Sequence, residues 1–418
     1  MGIVNNLHCP KCAHRATSRI EFQCPLCRSI LEVEVEIGHL TRADFQAMRQ
    51  SRDRSIWRWF DFFPVEDRSC IVSLGEGSTP LINARGLGES LELANLYLKN
   101  DTVLPTGSLK DRSNSVGISK AKELGFTTTT VMSTGNAAAS VAAYSAAAGM
   151  KSVVMVPAGT APSKIIQARV YGASVVVIDG NFDQEVAQLY KAAVREFGWY
   201  DCLSSNPYRE GKKSYAYELV DQFDEQIPDW LIHPTAGGTG IYAAWKGFNE
   251  LLSLNLIDRA PRLVVAQSAA AAPIVDAFEN DLAEIVPVIA RQTVAESIQV
   301  GNPASLGWRA LAAVRESRGS AVAVSDRETL EAQYLIGSKA GIFAEPAAAT
   351  SVAAAIKLRK SGVIGKDDVV VCNLTGHGLK QPEAIRIAEK EIQPIAPTLD
   401  ALREKLRRSD HGDHGEDL

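Results

Sequence analysis

From about residue 95 onward, short apolar runs alternate with longer polar–apolar stretches of helical length. The runs are ANLYLK (94–99), TTTTVMS (127–133), KSVVMVP (151–157), ASVVVID (173–179), DWLIHP (229–234), RLVVAQ (262–267), SAVAVS (320–325) and DVVVCNL (368–374). Between them lie Ala-, Glu- and Lys-bearing segments such as FDQEVAQLYKAAVREFG (182–198) and DRETLEAQYLIGSKAG (326–341). Near-continuous apolar strands alternating with helices predict parallel sheets covered on both faces. The Ala-rich runs 137–149 and 347–355 are predicted as helices packed closely on a sheet. About 300 residues of this pattern exceed one comfortable core, so two α/β lobes with a cleft between them are expected. The expected units are a cysteine knuckle (1–35), a bridging segment packing on the large lobe (36–95), a small mobile lobe (96–205), a large lobe (206–395) and a charged tail (396–418) in which His411 and His414 are solvated. In the bridging segment, RQSRDRSIWRWFDFF (49–63) reads either as a nucleic-acid contact or, in the favoured reading, as an amphipathic helix followed by an aromatic plug.

Composition narrows the function. With 22% charged residues and a net charge of −5, the 418-residue chain has no general pull toward nucleic acid or anionic membrane. No apolar run approaches a bilayer span, and MGIVNNLHCPKC lacks the regions of a signal peptide, so a cytoplasmic protein is expected. Four of the seven cysteines fall in CPKCAHRATSRIEFQCPLC (9–27), two C-P-x-C knuckles. Each knuckle turns two thiolates toward one point, and Cys9, Cys12, Cys24 and Cys27 together suit a closed tetrahedral zinc, structural rather than catalytic. His8 and His14 are expected to be loop histidines outside the ligand set. Cys70, Cys202 and Cys372 read as small buried apolar groups.

Four loops at strand–helix junctions carry candidate chemistry, where open α/β sheets hold their ligands. In PTGSLKDR (105–112), Pro105 and Gly107 shape a tight turn and Lys110 falls at an electropositive helix start. A lysine there, kept dry, loses its proton more readily and becomes a nucleophile able to form an imine. In STGNAAAS (133–140), Asn136 offers donor and acceptor groups beside free helix-start N–H groups, although a simple helix cap is an equal reading. In TAGGTGIYAAWKGF, Ala236, Gly237, Gly238, Thr239 and Gly240 allow close backbone approach to an anion resting on a helix N-terminus. The P-loop lysine and the dinucleotide spacing are missing, which favours a small phosphate monoester. In CNLTGHGLKQP, Thr375 either caps the next helix or gives its hydroxyl to a ring nitrogen. An imine-forming lysine, an amide, a phosphate cradle and a lone hydroxyl match the aldehyde, ring hydroxyl, phosphate and pyridine nitrogen of one cofactor.

That set resembles the fold-type II pyridoxal-phosphate enzymes of the tryptophan synthase β-like superfamily, and most closely the threonine synthases. The likeness runs from SLGEGSTPL (73–81) through PTGSLKDR, STGNAAASVAAYSAAAG, VIDGNFD, SSNPYREGKKSYAYE, GNPASLGW and FAEPAAATS to TGHGLKQP, and includes the N-terminal knuckle. The resemblance implies a two-lobed α/β fold with a zinc ribbon, pyridoxal 5'-phosphate held covalently by Lys110, and a homodimer. It also implies that Asn136 contacts the ring hydroxyl, residues 236–240 the cofactor phosphate, and Thr375 the ring nitrogen. The implied substrate is O-phosphohomoserine, from which phosphate leaves at the γ carbon before water adds at the β carbon. For its phosphate the family points to Arg209, with Ser133, Thr134, Lys164 and Asn206 as further candidates.

Three departures stand out. Threonine synthases usually read T-G-N-T, where this chain has Ala137; the usual phenylalanine before the lysine is Leu109; and NPYREGKKS is one residue short. Ala137 keeps open a β-elimination or β-replacement enzyme of the same fold, such as a serine/threonine ammonia-lyase or a cysteate-synthase-like enzyme. A zinc-ribbon regulatory protein with an inactive cleft is the reading from another class. Glu345 lies in a family-like stretch without an evident role.

Overall fold

The structure, a computed structural model, describes residues 6–16, 23–180, 185–387 and 394–410. All eight predicted runs form strands, and four further strands join them. In chain order these are β1 (Asn6–His8), β2 (Glu32–Glu34), β3 (Leu81–Asn83), β4 (Asn95–Asn100), β5 (Thr128–Met132), β6 (Lys151–Pro157), β7 (Ser174–Ile178), β8 (Tyr200–Asp201), β9 (Trp230–Pro234), β10 (Arg262–Ser268), β11 (Ser320–Val324) and β12 (Val369–Leu374).

Two main sheets result. The larger has the order β11-β10-β9-β12-β4-β3, parallel except for β3, and the smaller has the order β7-β6-β5-β8, parallel throughout. The inner strands of the larger sheet are buried almost without a break, because helices cover both faces. Residues 96–205 do not keep to one sheet. β4 pairs with β12 in the larger sheet, and the smaller sheet begins only at β5. The buried and half-buried positions of β4 find their partner in a strand near the other end of the chain, which a division by sequence order could not foresee.

The bridging segment carries its helix at Arg42–Arg49, before the aromatic cluster, and the cluster itself is a 3-10 turn, Ile56–Phe62. Trp57, Trp59, Phe60, Phe62 and Phe63 are all buried. Trp57 Nε1 donates to Ser115 Oγ at 2.7 Å, and Phe62 packs on Tyr217 with ring centroids 4.5 Å apart. The arginine among them, Arg58, is paired with Asp221 at 2.7 Å. This is the plug, and its aromatic faces are spent on packing. The charged tail includes a helix, Leu399–Asp410; His411 and His414 lie outside the described residues.

At the N-terminus β1 and β2 form an antiparallel ribbon beside the four cysteines, whose ligand atoms all lie within 4.8 Å of one another. His8 is on β1 rather than in a loop, 3.9 Å from both Glu32 and Glu34. Cys202 and Cys372 are buried as expected, but Cys70 is half-buried, with Sγ 3.7 Å from Asp67 Oδ2. No helix among the described residues is long and apolar enough to cross a membrane.

Candidate active site

The four loops gather at the carboxyl ends of β4, β5, β9 and β12. Lys110 is the first residue of the helix Lys110–Glu123, immediately after a turn in which Gly107 has φ +80°. That turn is pinned by Asp111, whose carboxylate accepts from Thr106 N at 2.7 Å, Thr106 Oγ1 at 2.6 Å and Ser140 Oγ at 2.7 Å. Ser140 belongs to the helix Asn136–Ala147, so one buried carboxylate ties the Lys110 turn to the helix that follows β5. From the other side Leu109 N donates to Thr375 O at 2.9 Å, joining the turn to the end of β12.

The Lys110 amine makes no hydrogen bond among the described residues. Burial lowers its pKa, and the nearby Glu345 carboxylate works in the opposite direction. The result is an amine that gives up its proton more readily than a surface lysine, as a nucleophile requires.

Asn136 is the first helical residue and Gly135 the N-cap, so Asn136 is not a helix cap. Its Nδ2 donates to both oxygens of Glu345, at 3.2 and 3.0 Å. Glu345 also accepts from Ser297 Oγ at 3.1 Å, while its own backbone N–H donates to Gly376 O at 2.8 Å. A Cβ on Gly376 would lie 2.5 Å from the Glu345 carboxyl carbon, so glycine is required after Thr375 for this acid to sit where it does. Burial pushes the Glu345 carboxyl up; Asn136, Ser297, Lys380 and Lys110 oppose the shift. Glu345 is the residue that sequence reasoning left without a role. The signal was present in AEP and TGHG, an acid beside a proline-led helix facing a glycine, but only the fold brings the two together.

Thr375 is buried, and His377, not Thr375, caps the following turn by accepting from Leu379 N at 3.1 Å. The Thr375 hydroxyl makes no hydrogen bond among the described residues and is available to a ligand. At the glycine turn, Gly238 has φ +93° and caps the helix Thr239–Ser253. A Cβ on Gly240 would meet the His233 ring at 2.4 Å, whereas Gly237 has nothing within 4 Å. Backbone rather than side chains therefore lines this helix start, leaving its first N–H groups for an anion. Ala236 packs on Ala295, Ile298 and Ala347, beside Ser297 and Glu345. Burial holds His233 down to about 4, so it is a neutral support beneath the turn.

Lys110, Asn136, Thr375 and the glycine turn thus come together. Ser133 and Thr134 line the same loop as Asn136, and Ser133 Oγ accepts from Gly135 N at 3.3 Å. The others lie further out. Lys164, in the helix Pro162–Val170, is ion-paired with Glu296, a contact that reaches from the smaller lobe to the larger. Arg209 is buried in the helix Asn206–Glu210, bonded to Asn206 and donating to Leu31 O at 3.2 Å. Burial and Arg309 lower its guanidinium to about 10.

An unpartnered amine, an unpartnered hydroxyl and a side-chain-free helix start fit an aldehyde-bearing aromatic phosphate. The family model described as pyridoxal-phosphate dependent enzyme matches residues 72–376. The threonine synthase of Methanocaldococcus jannaschii is 41% identical over 402 residues, covering 96% of this chain and 98% of that protein. The threonine synthase of Methanosarcina acetivorans is 38% identical, again over 96% of this chain and 98% of that protein. Among solved structures, a maize serine racemase shares the fold, with a TM-score of 0.64 at 19% identity over 80% of this chain and 94% of that one. So does the processed form of threonine deaminase isoform 2 from Solanum lycopersicum, with a TM-score of 0.65 at 17% identity over 80% and 94%. By identity over nearly its whole length, the chain belongs to the threonine synthases of the pyridoxal-phosphate dependent enzyme family.

Proposed function

We propose that this protein converts O-phosphohomoserine and water to threonine and phosphate, acting in the cleft around Lys110. The observation that carries the reading is the near-full-length identity to threonine synthases together with a half-buried lysine at the helix start whose amine makes no hydrogen bond among the described residues. Pyridoxal phosphate, when bound, supplies an electron sink for the pair left on carbon when a proton is removed. Lys110 would hold it covalently, and its amine is the group placed to take and return protons on the substrate carbons. Asn136, whose amide now donates to both oxygens of Glu345, would give it to the ring hydroxyl. Residues 236–240 would hold the cofactor phosphate on the helix start, and the Thr375 hydroxyl would meet the ring nitrogen. A neutral partner at that nitrogen does not hold it protonated, which weakens the sink and limits side reactions.

Arg209 is the proposed anchor for the substrate phosphate, with Ser133, Thr134, Lys164 and Asn206. Arginine's planar fork suits a phosphate, and among the described residues Arg209 has no ion pair to surrender. A β-elimination or β-replacement enzyme is the second reading. It is favoured by Ala137, which is buried where the family usually carries a threonine hydroxyl. The cysteine cluster is proposed to hold one structural zinc, since four soft ligands close its coordination sphere. A homodimer is proposed from the family resemblance, and a cytoplasmic location from the free thiols.

The deciding experiment offers purified protein O-phosphohomoserine, O-phosphoserine, serine and threonine in turn. Phosphate and threonine from the first are expected. Turnover of any other substrate with no phosphate from phosphohomoserine would refute the reading.

A further inference from the structure

Most buried cations among the described residues are matched by acids; Arg209 and Lys212, on adjoining turns beside the Lys110 helix, are not. Lys99 is 2.6 Å from Glu218; Arg112 pairs with Asp101 and Glu218; Lys213 lies 2.9 Å from Glu210 and 2.7 Å from Glu250. Lys212, adjacent to Lys213 in the turn Gly211–Lys213, is 2% exposed and has neither a hydrogen bond nor an ion pair among the described residues. Its amine lies 5.5 Å from the centre of the Tyr208 ring, a weak attraction. The turn is pressed onto the helix that begins with Lys110: a Cβ on Gly211 would stand 1.9 Å from Arg112 O. Lys212 follows that contact directly, and the cations that bear on its amine are Lys110, which opens the same helix, and Arg209, three residues before it. Burial and these two cations drive its amine well below the ordinary lysine range, against a smaller pull from Asp101, which is already committed to Arg112. A desolvated cation among like charges is costly unless an anion joins it.

We propose that Lys212 is an anion-binding residue of the cleft, matched to the phosphate monoester of a ligand that completes the site's charge balance. This rests on the pyridoxal-phosphate reading of the cleft. Two phosphates meet the description, the cofactor's and the substrate's, and Lys212→Met and Lys212→Arg variants separate them. Methionine at an unpaired buried lysine is expected to leave the fold intact, which a thermal melt checks. A lost charge-assisted bond corresponds to about a 10- to 100-fold weaker binding.

Pyridoxal phosphate and pyridoxal are titrated into cofactor-stripped protein, and inorganic phosphate and threonine into the holoenzyme. If Lys212 holds the cofactor phosphate, Lys212→Met weakens pyridoxal phosphate by that factor and leaves pyridoxal unchanged. If it holds the substrate phosphate, the same variant spares pyridoxal phosphate, weakens inorganic phosphate by that factor and leaves threonine unchanged. Lys212→Arg retains most of the affinity in either case. Unchanged binding of both phosphates, or equal losses with and without the phosphate group, would overturn the proposal. The wild-type protein releasing no phosphate from phosphohomoserine would instead count against the reaction, leaving the cofactor comparison intact.

Discussion

Replacing Glu218 with glutamine should destabilise the protein by about 3–5 kcal/mol, because Glu218 is the hub of the buried charges that fasten the Lys110 helix. Its carboxylate accepts from Lys99 Nζ at 2.6 Å, Arg112 Nη1 at 2.7 Å, Arg112 Nη2 at 3.0 Å and Ser78 N at 3.0 Å, with all the side chains of its two ion pairs fully buried. Asp101 completes the group, accepting from Arg112 Nε and Nη2, both at 2.9 Å, and from Thr79 Oγ1 at 2.8 Å. Two acids balance two cations. Glutamine keeps the shape but leaves one cation uncompensated, and the cost is that of a stranded buried charge rather than of one bond. Burial raises the Glu218 carboxyl, yet Arg112 and Lys99 outweigh it and hold the group well below the usual carboxylate range. A carboxyl whose folded pKa is depressed gives stability that is present above its unfolded value of about 4.5 and lost as pH falls further.

Urea unfolding at pH 7 measures the change as a shift in midpoint at unchanged slope. The double variant Glu218→Gln with Lys99→Met, which restores charge balance, should recover at least about half of the loss. Turnover should fall as well, since Arg112 lies two residues beyond Lys110. A loss under about 1 kcal/mol for the single variant, or strictly additive losses in the double, would refute the reasoning.

Lys110→Ala should abolish the visible absorbance that borohydride removes from the wild-type protein, together with all phosphate release; a retained band would move the attachment elsewhere. Gly376→Ala sets a methyl against Glu345 and should lower cofactor affinity by about 10-fold or more, read by absorbance titration. His233 is buried neutral with a pKa of about 4, so the unfolded state binds its proton first as pH falls from about 6.5. Its share of stability, up to about 3 kcal/mol, is complete above that pH and fades toward 4, so the gap between wild type and His233→Gln should narrow over that window. Metal analysis of undenatured, unchelated protein should find one zinc per chain, and Cys24→Ser should lose it.

The alternation of apolar runs and helices was enough to place eight strands, because fully buried parallel strands need little from their neighbours beyond being apolar. The short strands that escaped, β1, β2, β3 and β8, are held by tertiary partners rather than by pattern: β8 contributes only Tyr200 and Asp201 against β5. That Lys110, Asn136, Thr375 and the glycine turn are the proposed site was legible because each stands at a strand–helix junction, and the fold brings those junctions together. Glu345 and Lys212 were not legible. What singles them out is the charge around them, an acid facing two lysines and a lysine set among cations, and that is a property of the folded interior alone.

The ribbon gains a meaning from the same interior. Strand β2 and its flank reach three elements at once: Glu32 is 2.9 Å from Arg309, Val33 O accepts from Lys246 Nζ at 2.6 Å, and the adjacent Leu31 O accepts from Arg209. Lys246 lies on the helix whose first turn is the glycine cradle, and Arg209 is the proposed phosphate anchor. A small ribbon has too little core to hold three such contacts in register by itself, and a metal closed by the four cysteines would supply the missing rigidity. On that proposal the cysteines would serve the chemistry at one remove, by fixing the strand against which Arg209 and the glycine-turn helix are packed.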